Sequence, residues 1–358
     1  MSIWKLHAVS KPALCRILFA SIFSLGLAGC GSDNSEPNHT DAGASSSSSS
    51  SSSGSSSSSS SGSSSSSSGS GSGSGSGLDP MLPPSSNFDL AAWYLSVPTD
   101  DDGNGRADSI YEAELNSGYG NSNYFYTGED GGMVFRCPIA GFKTSTNTSY
   151  TRTELRGMLR RGDTSISTQG VNKNNWVFSS APIAAREAAG GVDGVLRATL
   201  AVNHVTTTGD SGQTGRVIVG QIHANDDEPL RLYYRKLPDN SKGSIYIAHE
   251  IKGGDDTWYE MIGSRSSSAS NPEDGIALNE IFSYEIRVEG NTLTVTIFRE
   301  GKDDVIQMVD MSESGYDTED QYMYFKAGVY NQNNSGDDSD YVQATFYALE
   351  NSHTEYED

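Results

Sequence analysis

Cysteine is nearly absent. Of three in 358 residues, Cys15 and Cys30 fall in the N-terminal leader and only Cys137 stands where a fold can form, which excludes an intramolecular disulfide framework. Stability must come from a buried core, and Leu78 to Asp358 is enough chain for one large β domain of about 200 to 250 residues. Basic residues are also scarce: 24 Lys and Arg against 46 Asp and Glu give a net charge of −22. That balance excludes the broad basic surface that displaces counterions from phosphates, so no nucleic-acid partner is expected. The apolar run from Ile17 to Leu27 is too short to span a membrane as a helix.

What the N-terminus does contain is an address. Lys5, Lys11 and Arg16 precede the apolar run, which ends in Leu27-Ala28-Gly29-Cys30. This resembles a bacterial lipobox, in which cleavage leaves Cys30 as a lipid-bearing N-terminus; an ordinary secretory signal with a chance cysteine is the alternative. Gly31 after Cys30 favours the outer membrane, by resemblance to Gram-negative lipoproteins. Residues 1–29 are read as signal peptide and 30–77 as a linker, with Ser45 to Gly77 almost pure serine and glycine. Such a segment cannot bury enough apolar area to offset ordering entropy, so it is a flexible tether or a glycosylated stalk. A lipid anchor would be the only membrane contact, and the location outer membrane, cell surface or extracellular.

Beyond Leu78, short runs of alternating apolar and polar residues are separated by Gly, Asn, Asp and Ser, and helical periodicity is scarce. Strands are predicted over Val195 to Val202, Leu230 to Lys236, Ser244 to Ile251, Tyr284 to Val288, Leu293 to Phe298 and Tyr341 to Leu349, with a hairpin turn at Glu289-Gly290-Asn291-Thr292. One short helix is predicted around Ser109 to Leu115. Without a blade-length repeat, this pattern favours an all-β sandwich of jelly-roll type with an open groove on one sheet.

Three of the runs carry polar side chains on one face. In Tyr150-Thr-Arg-Thr-Glu-Leu-Arg156, strand alternation puts Arg152, Glu154 and Arg156 on the same side, about 6 to 7 Å apart. Two guanidiniums held by a carboxylate would form a rigid fork for carboxylates, while a solvated charged strand is the plainer reading. In Val217-Ile-Val-Gly-Gln-Ile-His223, Gln221 and His223 share a face; His204, His249 and His353 have no such neighbour and are read as structural. In Tyr322 to Gln332, Phe325, Ala327 and Val329 alternate with Tyr324, Lys326, Gly328 and Tyr330, and Gly328 leaves room for a close approach to the backbone.

Arg152-Thr-Glu-Leu-Arg156, Gln221-Ile-His223 and Tyr324-Phe-Lys-Ala-Gly-Val-Tyr-Asn-Gln332, in that order, resemble the signature blocks of polysaccharide lyase family 7, the alginate lyases. Phe88 to Pro98 resembles that family's opening strand, so the likeness covers nearly everything after the tether. Gly157 departs from the acidic residue often found there, which would alter a subsite. The resemblance implies a catalytic domain over 78–358 that cleaves 1,4-linked uronate by β-elimination, acting as a monomer and without a cofactor. Arg152 and Gln221 would neutralise the substrate carboxylate, while His223 or Tyr330 takes the C5 proton and Tyr330 protonates the leaving oxygen. Glu154, Arg156, Tyr324, Lys326 and Gln332 would bind substrate. Ile222 leans the preference toward guluronate or mixed chains, and an endolytic mode is expected. A noncatalytic alginate-binding module on the same sandwich would share the aromatic groove.

A polyanionic substrate sits awkwardly with −22 charges unless a local basic stripe contacts it, since exposed charges beyond about 8 Å are screened at physiological salt. One motif lies outside this scheme. Asp100, Asp102, Asn104 and Gly105 have calcium-loop spacing, but the closing acidic position falls on Tyr111 with Glu112 one residue late, leaving calcium and a simple Asp/Gly turn both open.

Overall fold

The computed structural model describes residues 77–354. The signal peptide, Cys30 and the tether up to residue 76 lie outside the described residues, as do residues 355–358. Two sheets make up most of the fold. The first runs, edge to edge, Asp256–Ile262, Lys242–Glu250, Leu230–Arg235, Arg216–His223, Tyr324–Asn331, Arg152–Gly157, Trp93–Val97 and Asp108–Ile110. The second runs Val305–Asp310, Thr292–Phe298, Phe282–Glu289, Gly191–His204, Tyr341–Thr354, Met133–Pro138 and Phe125–Thr127. Neighbours within both orders are antiparallel; hairpins lie toward the edges, and the central pairs of each sheet join strands far apart in sequence, as a jelly roll requires.

The alternation seen in the sequence sorts each strand of the first sheet into two environments. Leu155, Ile222, Phe325, Ala327 and Val329 point into the core between the sheets, where Phe325 meets Trp176 at 5.0 Å between ring centroids. Each such side chain contributes about 1.5 to 3 kcal/mol by leaving water, and together they fix the register that turns their polar neighbours outward. Register shifts at Ile218/Gly220, Ile245/Tyr246 and Ala327/Tyr330 all fall in this sheet, and such bulges bend strands. Gly328 sits at one of them, at φ 137°; a Cβ there would lie 2.7 Å from the Thr153 carbonyl oxygen and 2.9 Å from Glu154 Cα. The close approach expected at Gly328 is thus made by the neighbouring strand itself.

The predicted strands are present, several of them longer than the pattern marked. Gly290 and Asn291 join Phe282–Glu289 to Thr292–Phe298, with Gly290 at φ 58°. The helix expected over Ser109 to Leu115 is shifted: Ser109 and Ile110 pair with Ser96 and Leu95 as an edge strand, and the helix is Glu112–Asn116. Tertiary pairing overrides a weak local signal there. Cys137 is buried and free, and burial pushes its thiol up to about 12. Among the described residues no helix is long and apolar enough to cross a membrane.

Candidate active site

The three polar-faced runs are adjacent strands at the middle of the first sheet, Arg216–His223, Tyr324–Asn331 and Arg152–Gly157. Their register sets Lys326 beside both Arg156 and Gln221, Tyr324 beside His223, and Tyr330 beside Arg152. Paired residues share a face, so the side chains marked from sequence on these strands are brought to one surface.

At its centre lies Glu154, only 2% exposed. Its carboxylate accepts a hydrogen bond from Arg152 Nη1 at 3.0 Å and another from the Gln221 amide, with Lys326 Nζ at 3.9 Å. A carboxylate held by two cations and an amide fixes all three donors in place. The Arg152 guanidinium also lies 3.9 Å from the centroid of the Tyr330 ring, on whose edge Tyr150 packs. Gln221 uses one amide N–H on Glu154, and an amide nitrogen carries two.

His223 is fully buried. Its Nδ1 faces the Ala224 carbonyl at 2.7 Å, which sets the proton on Nδ1 and the lone pair on Nε2 in the neutral ring. Nε2 lies 3.4 Å from Glu228 Oε1, so a proton gained there meets a carboxylate. The ring stacks on Tyr324, 5.0 Å away and nearly parallel.

Arg156 has a different setting from Arg152. It donates to the carbonyls of Gly157 and Thr168 and to Asn175, and lies 3.8 Å over the Tyr324 ring, so it ties the wall formed by 158–175 to the floor. Gln332 follows the end of its strand and accepts from Arg216 at 3.3 Å, away from Glu154. Gly157 and Ile222 do not face this surface. A Cβ on Gly157 would approach Phe325 backbone and Asn351 of the second sheet, and Ile222 is in the core, so any influence on specificity acts through packing.

The other histidines among the described residues are held by backbone carbonyls: His204 by Tyr341, His249 by Pro229 and His353 by Asp193. In the Asp100 turn, the carboxylates of Asp100, Asp102 and Asp108 lie within 4.8 Å of one another. Glu112 does not close that loop; it binds Arg160 at 2.8 Å. Asp100 and Asp102 accept from the backbone N–H groups of Gly105 and Asn104, as an Asp/Gly turn does.

Sequence reading missed a second part of the face. Ile218, Tyr233, Tyr246, Ala248 and Tyr330 form a small cluster of their own, with Tyr150 and Trp258 against it. It lies on the outer face of the strands that carry Arg231 and Arg235, and Arg231 is bound by Asp256 and Glu250. The available signal was the alternation Arg231, Tyr233, Arg235, which places one cationic and aromatic face opposite Leu230, Leu232 and Tyr234 in the core.

A family model described as alginate lyase matches residues 88–353. An alginate lyase of Klebsiella pneumoniae is 60% identical over 279 residues, covering 75% of this chain and 91% of that protein. A crystal structure of the alginate lyase from Klebsiella pneumoniae superposes with a TM-score of 0.75 at 59% identity, covering 76% of this chain and 98% of the other. A variant of the family 7 alginate lyase A1-II', solved in complex with the substrate GGMG, is 26% identical, with a TM-score of 0.56 over 78% of this chain and 100% of the other.

Proposed function

This chain belongs to the alginate lyase family and is a polysaccharide lyase acting on alginate, and from that premise we propose how its residues cut the polymer. Elimination removes the C5 proton of a uronate and breaks the bond from C4 to the glycosidic oxygen. The C6 carboxylate opposes this, because the developing carbanion adds charge beside charge. Arg152 and Gln221 meet that carboxylate and stabilise the enolate, an effect worth about 3 to 4 kcal/mol per well-placed donor. The observation that carries the reading is Glu154, which holds Arg152, Gln221 and Lys326 around one buried point beside Tyr330. Donors fixed beforehand cost no reorganisation at the moment of reaction.

On guluronate, His223 takes the C5 proton at Nε2, where Glu228 stabilises the imidazolium, and Tyr330 gives its proton to the leaving oxygen. On mannuronate, whose C5 configuration differs, Tyr330 serves as base and then acid, with Arg152 against its ring stabilising the phenolate. The products are a shortened chain and a new end bearing a C4–C5 double bond. Tyr324, Lys326, Arg156 and Gln332 position neighbouring uronates, directly or through the walls they hold. A floor that continues on both sides of Glu154, toward Tyr94 and Tyr111 in one direction and toward Tyr233 in the other, supports endolytic action. A base distinct from Tyr330 supports guluronate or mixed blocks.

The test uses separate guluronate and mannuronate blocks, followed by ultraviolet absorbance of unsaturated ends. His223→Ala is expected to lower turnover on guluronate about 10²- to 10⁴-fold with much smaller loss on mannuronate, while Tyr330→Phe lowers both. Equal losses on the two blocks for His223→Ala would remove the base assignment.

Secretion follows the same reading: a monomer anchored at the outer membrane by lipid on Cys30, with the Ser/Gly tether giving it reach toward polymer outside the cell. Fractionation tests this, since Cys30→Ser should move the protein out of the membrane fraction; an unchanged distribution would count against the anchor.

A further inference from the structure

Four strands from Tyr330, at the edge strand that carries Trp258 and Glu260, the aromatic floor ends in a pocket of about 460 Å³ lined by Arg216, Arg235, Tyr246, Trp258, Glu260 and Arg265. The path to it is continuous. Tyr330 is in register with Ile218, Ile218 with Tyr233, Tyr233 with Tyr246, and Tyr246 with Glu260. Tyr233 and Tyr246 stack at 4.9 Å, and Trp258 lies 5.4 and 5.9 Å from them. At about 4.8 Å per strand the far end of the pocket lies roughly 19 Å from Tyr330, a span that a uronate chain crosses in a few sugars.

The electrostatics of this pocket differ from those of other arginines in the molecule. Arg160, Arg231 and Arg299 each sit on a carboxylate. Among the described residues, Arg216, Arg235 and Arg265 have no ion pair. Arg235 donates to the carbonyls of Thr214, Ser211 and Arg265, and Arg216 to Gly212 and Gln332. The Arg265 guanidinium lies 4.8 Å over the Trp258 ring. Glu260, the one carboxylate in the lining, accepts from Ser264 and from the Arg265 backbone instead. Three cations converge on one carboxylate, which is engaged by Ser264 and backbone and pairs with none of them, in a chain of net charge −22. Such a concentration of like charge is costly unless a ligand offsets it.

We propose that this pocket is a distal subsite that captures a uronate carboxylate of the same alginate chain being cut at Tyr330. The carboxylate binds Arg216 and Arg265, and the sugar ring stacks on Trp258 as the intervening sugars lie on Tyr246 and Tyr233. This rests on the lyase reading for the identity of the polymer. Its consequence is a dependence on chain length: oligomers too short to reach the pocket gain nothing from it, and longer ones bind more tightly.

The test measures the affinity of saturated oligouronates of increasing length for the Tyr330→Phe protein, with and without Arg265→Ala, by calorimetry. Arg265 is exposed at the pocket rim, so its removal spares the fold. The expected result is a step of about five- to tenfold in affinity once the chain is long enough, abolished by Arg265→Ala and by Trp258→Ala, with short oligomers unaffected. Identical length profiles with and without Arg265 would overturn the proposal. Turnover by the wild-type chain is read separately from unsaturated ends. An Arg265-dependent step in a protein that yields no unsaturated ends would support the subsite and sink the lyase reading.

Discussion

The outer face of the first sheet and the interior, as lined by strands of the second sheet, treat ionisable groups in opposite ways. Outward, Arg152, Glu154 and Lys326 are each at most 5% exposed, and each has a group of opposite sign within reach. Inward, Cys137, Tyr284 and His353 are kept neutral: burial raises the first two and drives His353 down to about 4. What each group meets distinguishes the two regions. The inward groups meet rings and backbone carbonyls, and so they shed charge; the outward groups meet each other. The groove can therefore hold a charged constellation ready for a polyanion within a molecule that is acidic overall, and the basic stripe that the net charge seemed to deny is local.

Glu154→Gln breaks that comparison most directly. The substitution keeps shape but removes the negative charge, leaving Arg152 and Lys326 buried without it. Breaking a buried pair costs about 3 to 5 kcal/mol, partly recovered by the new amide's own hydrogen bonds. Activity should fall further than stability, by about 10²-fold in kcat, since Arg152 and Gln221 lose the group that aims them. Steady-state rates on polymer, with denaturant midpoints alongside, check this. A variant with normal kcat would mean that Glu154 is only a structural counter-charge.

Much of the central site was legible because period-two alternation is geometric: once Leu155, Ile222, Phe325 and Val329 are apolar, Arg152, Glu154, Gln221, Lys326 and Tyr330 must face the other way. The fold class followed from the same alternation. What alternation does not carry is partnership across strands. Nothing in the spacing of Arg156 marks that it reaches Thr168 and Asn175, nor in Gln332 that it turns toward Arg216. Trp258 was missed because an edge strand with mixed exposure shows no clean pattern, and Arg265 because it lies in the loop beyond that strand. The helix near Ser109 was misplaced because edge pairing with Trp93–Val97 is invisible locally. Gly157 and Ile222 were assigned influence on the groove by resemblance alone, and their strand parity puts both on the core side.

The inward face can be tested through pH. His353 lies between Trp176 and Phe325, at 5.5 and 5.6 Å between ring centroids, with Nδ1 on the Asp193 carbonyl and a buried Nε2 that has no acceptor. Protonation would bury a cation against rings and leave an N–H unsatisfied, which is why the ring stays neutral down to about 4. Its unfolded counterpart takes a proton near pH 6.5. Between those values the unfolded chain binds the extra proton, so stability is full above about pH 6.5 and declines as pH falls toward 4, by roughly 3 kcal/mol from this residue. Denaturant midpoints across that range should show the loss, and His353→Phe, which fills the same slot without a titrating group, should flatten it. A slope that survives His353→Phe would place the titration elsewhere, with His249, also lowered by burial, the next residue to replace. Because this loss comes from the core, kcat of the folded enzyme should not follow it.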